Sequence, residues 1–150
     1  MFSQIAAVSL LNNASLDIVP LDETSEKFAR NLGVSLTGVS KNLTRNELLA
    51  RMSENDVNLY VTYSECSPML PLESLEMGVP CLTGNNHHYF VGSELEEKLV
   101  VSQEGDICEI RDKIRKCAEG RDAILEQYKL FREKNFMEGD NDVKRFLEAE

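Results

Sequence analysis

The chain has 150 residues, 42% apolar and 28% charged, which suits one ordinary globular domain with a single core. Its 26 acidic against 16 basic residues leave a net charge of -10. Such a surface repels phosphate backbones and anionic membranes, so no nucleic-acid partner is expected. No apolar run approaches the ~20 residues of a membrane span. No basic leader precedes an apolar segment, so the expectation is a cytoplasmic protein without a transmembrane segment. The four cysteines, Cys66, Cys81, Cys108 and Cys117, form no C-x-x-C pair and read as reduced thiols rather than a zinc site.

The elements follow in chain order. FSQIAAVSLLNN places Phe2, Ile5, Ala6, Ser9 and Leu10 near helical spacing, with Asn12-Asn13 to end the helix. LDIVPL (16–21) is a short strand closed by Pro20. Residues 23–32 form a second helix stopped by Gly33, and VSLTGV (34–39) a second strand. TRNELLARMSEN (44–55) carries a capping box, with Thr44 as N-cap and Glu47 three positions on. VNLYVTY (57–63) is a strand rich in β-branched and aromatic residues. A helix over 68–77 ends at Gly78, VPCLTG (79–84) is the next strand, and KLVV (98–101) a short last one. Ile107, Ile110, Ile114 and Cys117 mark one helix face; beyond Gly120, Ile124, Leu125, Tyr128 and Phe131 mark another.

Strands alternating with helices at short spacing predict an α/β fold with a doubly wound parallel sheet. No repeat or linker divides the chain, so residues 1–150 read as one domain whose acidic tail, from about 139 to 150, frays. Strands 57–63 and 79–83 are expected to be neighbours, fully buried on both faces. One feature is unusual: a doubly wound unit ordinarily opens with a strand, whereas this chain opens with a helix, so the first strand has no counterpart.

Function concentrates in SECSPMLPLESLEMGVPCLTG (64–84). In open α/β sheets ligands sit beyond the carboxyl ends of the strands. Here a helix N-terminus follows strand 57–63 and offers N–H groups to a phosphate. Pro68 or Pro71 suits a first helical turn. Glu65 lies just before that terminus and Glu73 about one turn inside, where carboxylates can accept pairs of sugar hydroxyls. The plainer reading is a solvated helix start whose acids complement the dipole.

Glu65, seven residues, then Glu73, followed by SLEMGVPCLTG, resembles the donor-half signature of retaining GT-B glycosyltransferases (the group 1, family 4-like type). Most of the chain shares the resemblance: the strand ending at Ser64, the Thr37-Gly38 pair and the paired C-terminal helices. It implies the Rossmann-like half of a GT-B fold that binds a nucleoside diphosphate sugar and needs no other cofactor and no metal. Glu65 would hold donor-sugar hydroxyls and is the catalytic candidate. Glu73 would bind the ribose. Backbone amides around Ser67, Met69 and Leu70 would cradle the diphosphate. Groups near Thr37, Gly38 and Val39 would meet the base, and Thr83, Gly84, Asn85 and Asn86 would flank the donor.

The chain departs from the pattern where Cys-Ser-Pro (66–68) replaces Gly-Phe-Gly, which removes one phosphate donor at Pro68, with Ser67 as a replacement or N-cap. The family's first strand, its Arg and Lys for the diphosphate, and the acceptor-binding domain also have no counterpart. His87-His88 reads as a loop pair, since adjacent side chains diverge and no third zinc ligand is spaced for them. Cys66 reads as a spectator thiol, and Lys41 and Arg45 as surface residues rather than phosphate ligands.

The expectation is therefore the nucleotide-sugar-binding half of a hexosyltransferase of glycan biosynthesis, inactive by itself, whose partner is the missing N-terminal acceptor domain. The alternative is a non-catalytic nucleotide-sugar-binding or accessory module. The incomplete sheet predicts either direct pairing of strand 16–20 with strand 57–61 or a slot filled by another segment or chain, with an oligomer as one route.

Overall fold

The computed structural model describes residues 1–64 and 68–148. Along them run α1 (Phe2–Ser9), β1 (Ser15–Ile18), α2 (Glu23–Asn31), β2 (Ser35–Gly38), α3 (Arg45–Met52) and β3 (Asn58–Tyr60). Then come α4 (Leu70–Glu76), β4 (Cys81–Thr83), α5 (Glu94–Leu99), α6 (Ile107–Glu119) and α7 (Arg121–Glu148).

Helix starts follow local chemistry. Thr44 and Glu47 form the expected capping box, each side chain meeting the other's backbone N–H. Asp22 caps α2 by accepting from Ser25 N at 2.9 Å, and Asp106 caps α6 by accepting from Cys108 N and Glu109 N. Gly78, which follows α4, has φ +82°, a conformation that L side chains rarely adopt. Arg121 donates from two nitrogens to the Gly78 carbonyl, at 2.9 and 2.6 Å, and so closes the end of α4 from α7.

Among the described residues all strand pairing is parallel, but the sheet is not continuous. β1 pairs with β2, Leu16 opposite Leu36 and Ile18 opposite Gly38. β3 pairs with β4, Asn58 opposite Cys81 and Tyr60 opposite Thr83. Two separate two-stranded sheets result, so the expected direct pairing of 16–20 with 57–61 does not form. Helices set the spacing instead. On one face α1 packs against α6 and β1. On the other, Arg51 of α3 grips the Asp17 carboxylate on β1. A doubly wound sheet is thus reduced here to a mixed α/β arrangement of two parallel pairs.

The expected strand at 98–101 is also replaced. Leu95 and Leu99 are buried one helical turn apart in α5, which draws Lys98 and Leu99 into helix. What remains is a single bridge from Thr83 to Val100, with Val101 N donating to Thr83 O at 2.8 Å. β4 is buried along its length, whereas Leu59 and Tyr60 of β3 are only half-buried, so full burial of both strands holds for β4 alone. The tail expected to fray continues as α7 through Gly139 to Glu148.

The main core joins Val61, Leu75, Leu82, Phe90, Leu95, Leu99, Val101 and Ile110 with Ile124 and Tyr128 of α7. A smaller cluster joins Ile5, Ile18 and Ala29 between α1, α2 and β1. A buried polar network ties the elements around β3. Asn58 donates to Met52 O and to Ser74 Oγ, and Ser74 donates to Val79 O. Each of these buried groups thereby keeps a partner. No described helix is long and apolar enough to cross a membrane.

Candidate functional site

β2's exit, the start of α4 and the loop after β4 each follow the carboxyl end of a strand, and an ion pair links the first two. Glu73 lies in the first turn of α4, its side chain 16% exposed. Its Oε1 accepts from Arg45 Nε at 3.0 Å and from a second guanidinium nitrogen. This pair joins the first residue of α3, and hence the loop after β2, to the start of α4. Arg45 is 73% exposed, so the ion pair contributes little stability and a ligand can compete for the carboxylate. The sequence assigned Arg45 to the surface; it is there, but its head lies on the ribose-binding candidate. No local pattern links residues 45 and 73, so sequence reasoning missed the contact.

Met69 is the N-cap of α4 without a side-chain cap, Pro71 is the second helical residue, and Glu73 N already donates to Met69 O. Proline lacks an N–H, so an anion at this terminus would be met by the amides of Met69, Leu70 and Leu72. Met69 is 58% exposed and Pro68 is buried. Glu65, Cys66 and Ser67 lie outside the described residues.

At the end of β2, Thr37 is exposed and its hydroxyl donates to Asp17 at 3.3 Å. Val39 N donates to Ile18 O and Val39 O accepts from Leu21 N, so both of its main-chain groups join β2 to the segment after β1. A Cβ on Gly38 would stand 2.6 Å from Ile18 O, so glycine is required there by strand approach. Gly84 is similar: a Cβ would meet Thr62 O at 2.4 Å.

The loop after β4 is held from two sides, by Thr62 and by Glu104, which Ser3 in turn anchors. Asn86 Nδ2 donates to Thr62 O at 2.5 Å, Asn85 N donates to Glu104 Oε1 at 3.0 Å, and Ser3 Oγ donates to Glu104 O at 2.8 Å. Thr83 is buried and meets His87 Nε2 at 2.5 Å. Tyr89 N donates to His87 Nδ1 at 3.3 Å, which leaves the proton of a neutral imidazole on Nε2, facing Thr83. Burial, and next the charge of His88, hold the His87 pKa below its ordinary 6.5. His87 therefore braces the 83–86 loop, a role that the His87-His88 dipeptide gave no sign of.

No family model, curated protein or solved structure matches the chain. The site must therefore be read from its own chemistry. It offers a partly buried carboxylate with Oε2 as an acceptor, a helix start with three amides, and a braced polar loop. Among the described residues no group of three metal-ligating side chains occurs. Among the described thiols, Cys81 and Cys117 are buried, and burial raises the pKa of both, that of Cys117 to about 11.

Proposed function

We propose that the chain binds a nucleoside diphosphate sugar at the carboxyl edge of its strands, as the donor half of a retaining glycosyltransferase with a Rossmann-like, GT-B-type architecture. The observation that carries this reading is Glu73. A carboxylate is held one turn inside a helix start, with one oxygen on Arg45 and the other able to accept a ribose hydroxyl. The diphosphate would lie over the amides of Met69 and Leu70. The base would lie toward Thr37 and Gly38, and the sugar toward the 83–86 loop and Glu65.

Catalysis in such an enzyme rests on stabilising charge on the departing diphosphate; Glu65 would hold the transferred sugar. The exposed Leu130, Phe136, Met137 and Phe146 of α7 favour a chain that packs against a second domain, which would bring the acceptor. The second reading, a non-catalytic nucleotide-sugar-binding module, draws on Arg45 already occupying Glu73 and on prolines at 68 and 71.

Calorimetric titration with nucleoside diphosphates and their sugar esters tests the site. Glu73→Ala is expected to lower affinity about tenfold, the worth of a hydrogen bond to a charged group, while Arg45→Ala leaves the ribose contact in place. Equal affinity in wild type and Glu73→Ala would sink the proposal. Sugar transfer by the chain joined to an acceptor-binding domain separates the enzyme from the module.

A further inference from the structure

Three neighbouring loops meet where β3, β4 and the bridge at Val100 end. β4 lies between the other two, paired with β3 and bridged from Thr83 to Val100. Across its exit the loops lock together at Gly84. A Cβ there would stand 2.4 Å from Thr62 O on one side and 3.1 Å from Glu104 Cγ and Oε1 on the other. Glu104 thus lies against the Gly84–Asn85 backbone. Its Oε1 accepts from Asn85 N at 3.0 Å, and its carbonyl accepts from Ser3 Oγ of α1. Tyr63 makes a second crossing. A Cβ on Gly105 would stand 3.3 Å from the Tyr63 hydroxyl oxygen, so the side chain reaches from the exit of β3 to the loop after Val101. It does so at the surface, with Tyr63 70% exposed.

The hydrogen bonding of this edge is one-sided. The Asn85 N–H is already taken by Glu104. An ionised carboxylate only accepts, and Glu104 Oε2 meets no donor among the described residues. Asn86 commits its Nδ2 to Thr62 O and Thr62 Oγ1. That leaves Asn86 Oδ1 buried without a donor among the described residues, a deficit that a hydroxyl group would remove. The edge therefore has spare acceptors and lacks donors. Phosphate and carboxylate groups are acceptors themselves and find no match here, whereas a polyol does. The cations that follow on α6 do not reverse the sign. Arg111 is held on Asp112, and Lys113 lies 3.9 Å from Glu109, while Asp106 caps the same helix.

We infer that Tyr63 and Glu104 form the sugar subsite, Tyr63 stacking on the apolar face of the ring and Glu104 Oε2 accepting its hydroxyls, and that Glu104 selects a neutral hexose against a hexuronate. The class of ligand rests on the nucleotide-sugar reading proposed above; the two residues and the rule of selection are additional. That rule is electrostatic. A ligand carboxylate brought to about 4 Å from Glu104 is repelled, and more strongly in a partly desolvated site than in water. A hydroxyl at the same place donates instead. An aromatic side chain beside a few placed polar groups is the usual make-up of a small-molecule site.

The test follows the amide NMR signals of the whole chain during titration with a methyl hexopyranoside. A second titration uses the hexuronate that differs only by a carboxylate in place of the hydroxymethyl group. Saturable shifts are expected at Asn85, Asn86 and Gly105 with the neutral sugar. The hexuronate should bind about tenfold more weakly, a gap that narrows as salt is added. Glu104→Gln keeps an acceptor for Asn85 N and removes the charge. It should leave thermal stability unchanged and bring the two sugars to nearly equal affinity, which a purely structural role for Glu104 does not produce. Tyr63→Ala should weaken both sugars by the same factor. An undiminished gap in Glu104→Gln, shifts confined to other segments, or no sugar binding would overturn the subsite. A parallel titration with a free nucleoside diphosphate separates the two readings. Nucleotide binding without a sugar response overturns the subsite alone; a sugar response without nucleotide binding supports the subsite and overturns the donor reading.

Discussion

The two strand pairs have the same parallel pairing and nearly the same length, yet they are stabilised very differently. β3–β4 belongs to the main core, with Val61 and Leu82 buried against α4, α5, α6 and α7 residues. β1–β2 has only the Ile5, Ile18 and Ala29 cluster, and Ser15, Ser35 and Thr37 are exposed. A backbone ladder is the same in both cases. The difference is apolar area removed from water, the dominant favourable contribution. β1–β2 should therefore open locally at lower free energy than β3–β4, and the slot between them is where the two levels of stability meet.

Truncation in the main core is the strongest way to break this contrast. Leu82→Ala should cost about 3–4 kcal/mol, because a fully buried side chain leaves a cavity that its neighbours cannot fill. Chemical denaturation measures it, and a loss no larger than that in the small cluster would abolish the ranking. Ile18→Ala should cost about 2 kcal/mol, the low end for such truncations, since its cluster is small and close to the slot. Hydrogen exchange should show faster opening at 15–18 and 35–38 with 58–60 and 81–83 unaffected; uniform acceleration of all four strands would mean that they unfold as one unit.

Arg51→Met sharpens the contrast further. It keeps the stem but removes the grip on Asp17, whose hydrogen bond is the chief reason the Arg51 pKa lies above its ordinary value. The pair is partly exposed, at 31% and 16%, so only a small loss of stability is expected. The loss should appear in the exchange of β1 rather than β4.

The smallest expected effect comes from pH and acts on the better-packed half. The folded His87 pKa is depressed, so the folded state binds this proton less readily than the unfolded chain. Its contribution is present above about 6.5 and is lost as pH falls through that value. Between about pH 7.5 and about pH 5.5 the wild type should lose stability, and His87→Gln should flatten that part of the profile. An unchanged profile in His87→Gln would remove His87 as the cause.

Signals confined to one turn of chain were legible without coordinates. Thr44 and Glu47 predict the start of α3 because the capping box closes within four residues, and Gly78 predicts the end of α4 because a left-handed residue is a local requirement. The parallel α/β class was legible for a related reason: the alternation of short apolar runs with helical faces is written along the chain. The candidate site was legible in part. Glu73 could be singled out by its place after a strand, but not Arg45 as its partner or His87 as the brace of the 83–86 loop. Those contacts join residues whose proximity depends on how α3, α4 and the loop after β4 are packed.

Composition and periodicity by themselves determined the types of most elements, the caps and the parallel α/β class. Tertiary structure alone decided that KLVV yields to α5, that β1 and β3 stay apart, and that a slot opens between them. The physical reason is that pattern records each segment's own preference for helix or strand. The distance between two strands is set by helices packed across both faces, and a lateral partner leaves no mark on the sequence of the strand that lacks it.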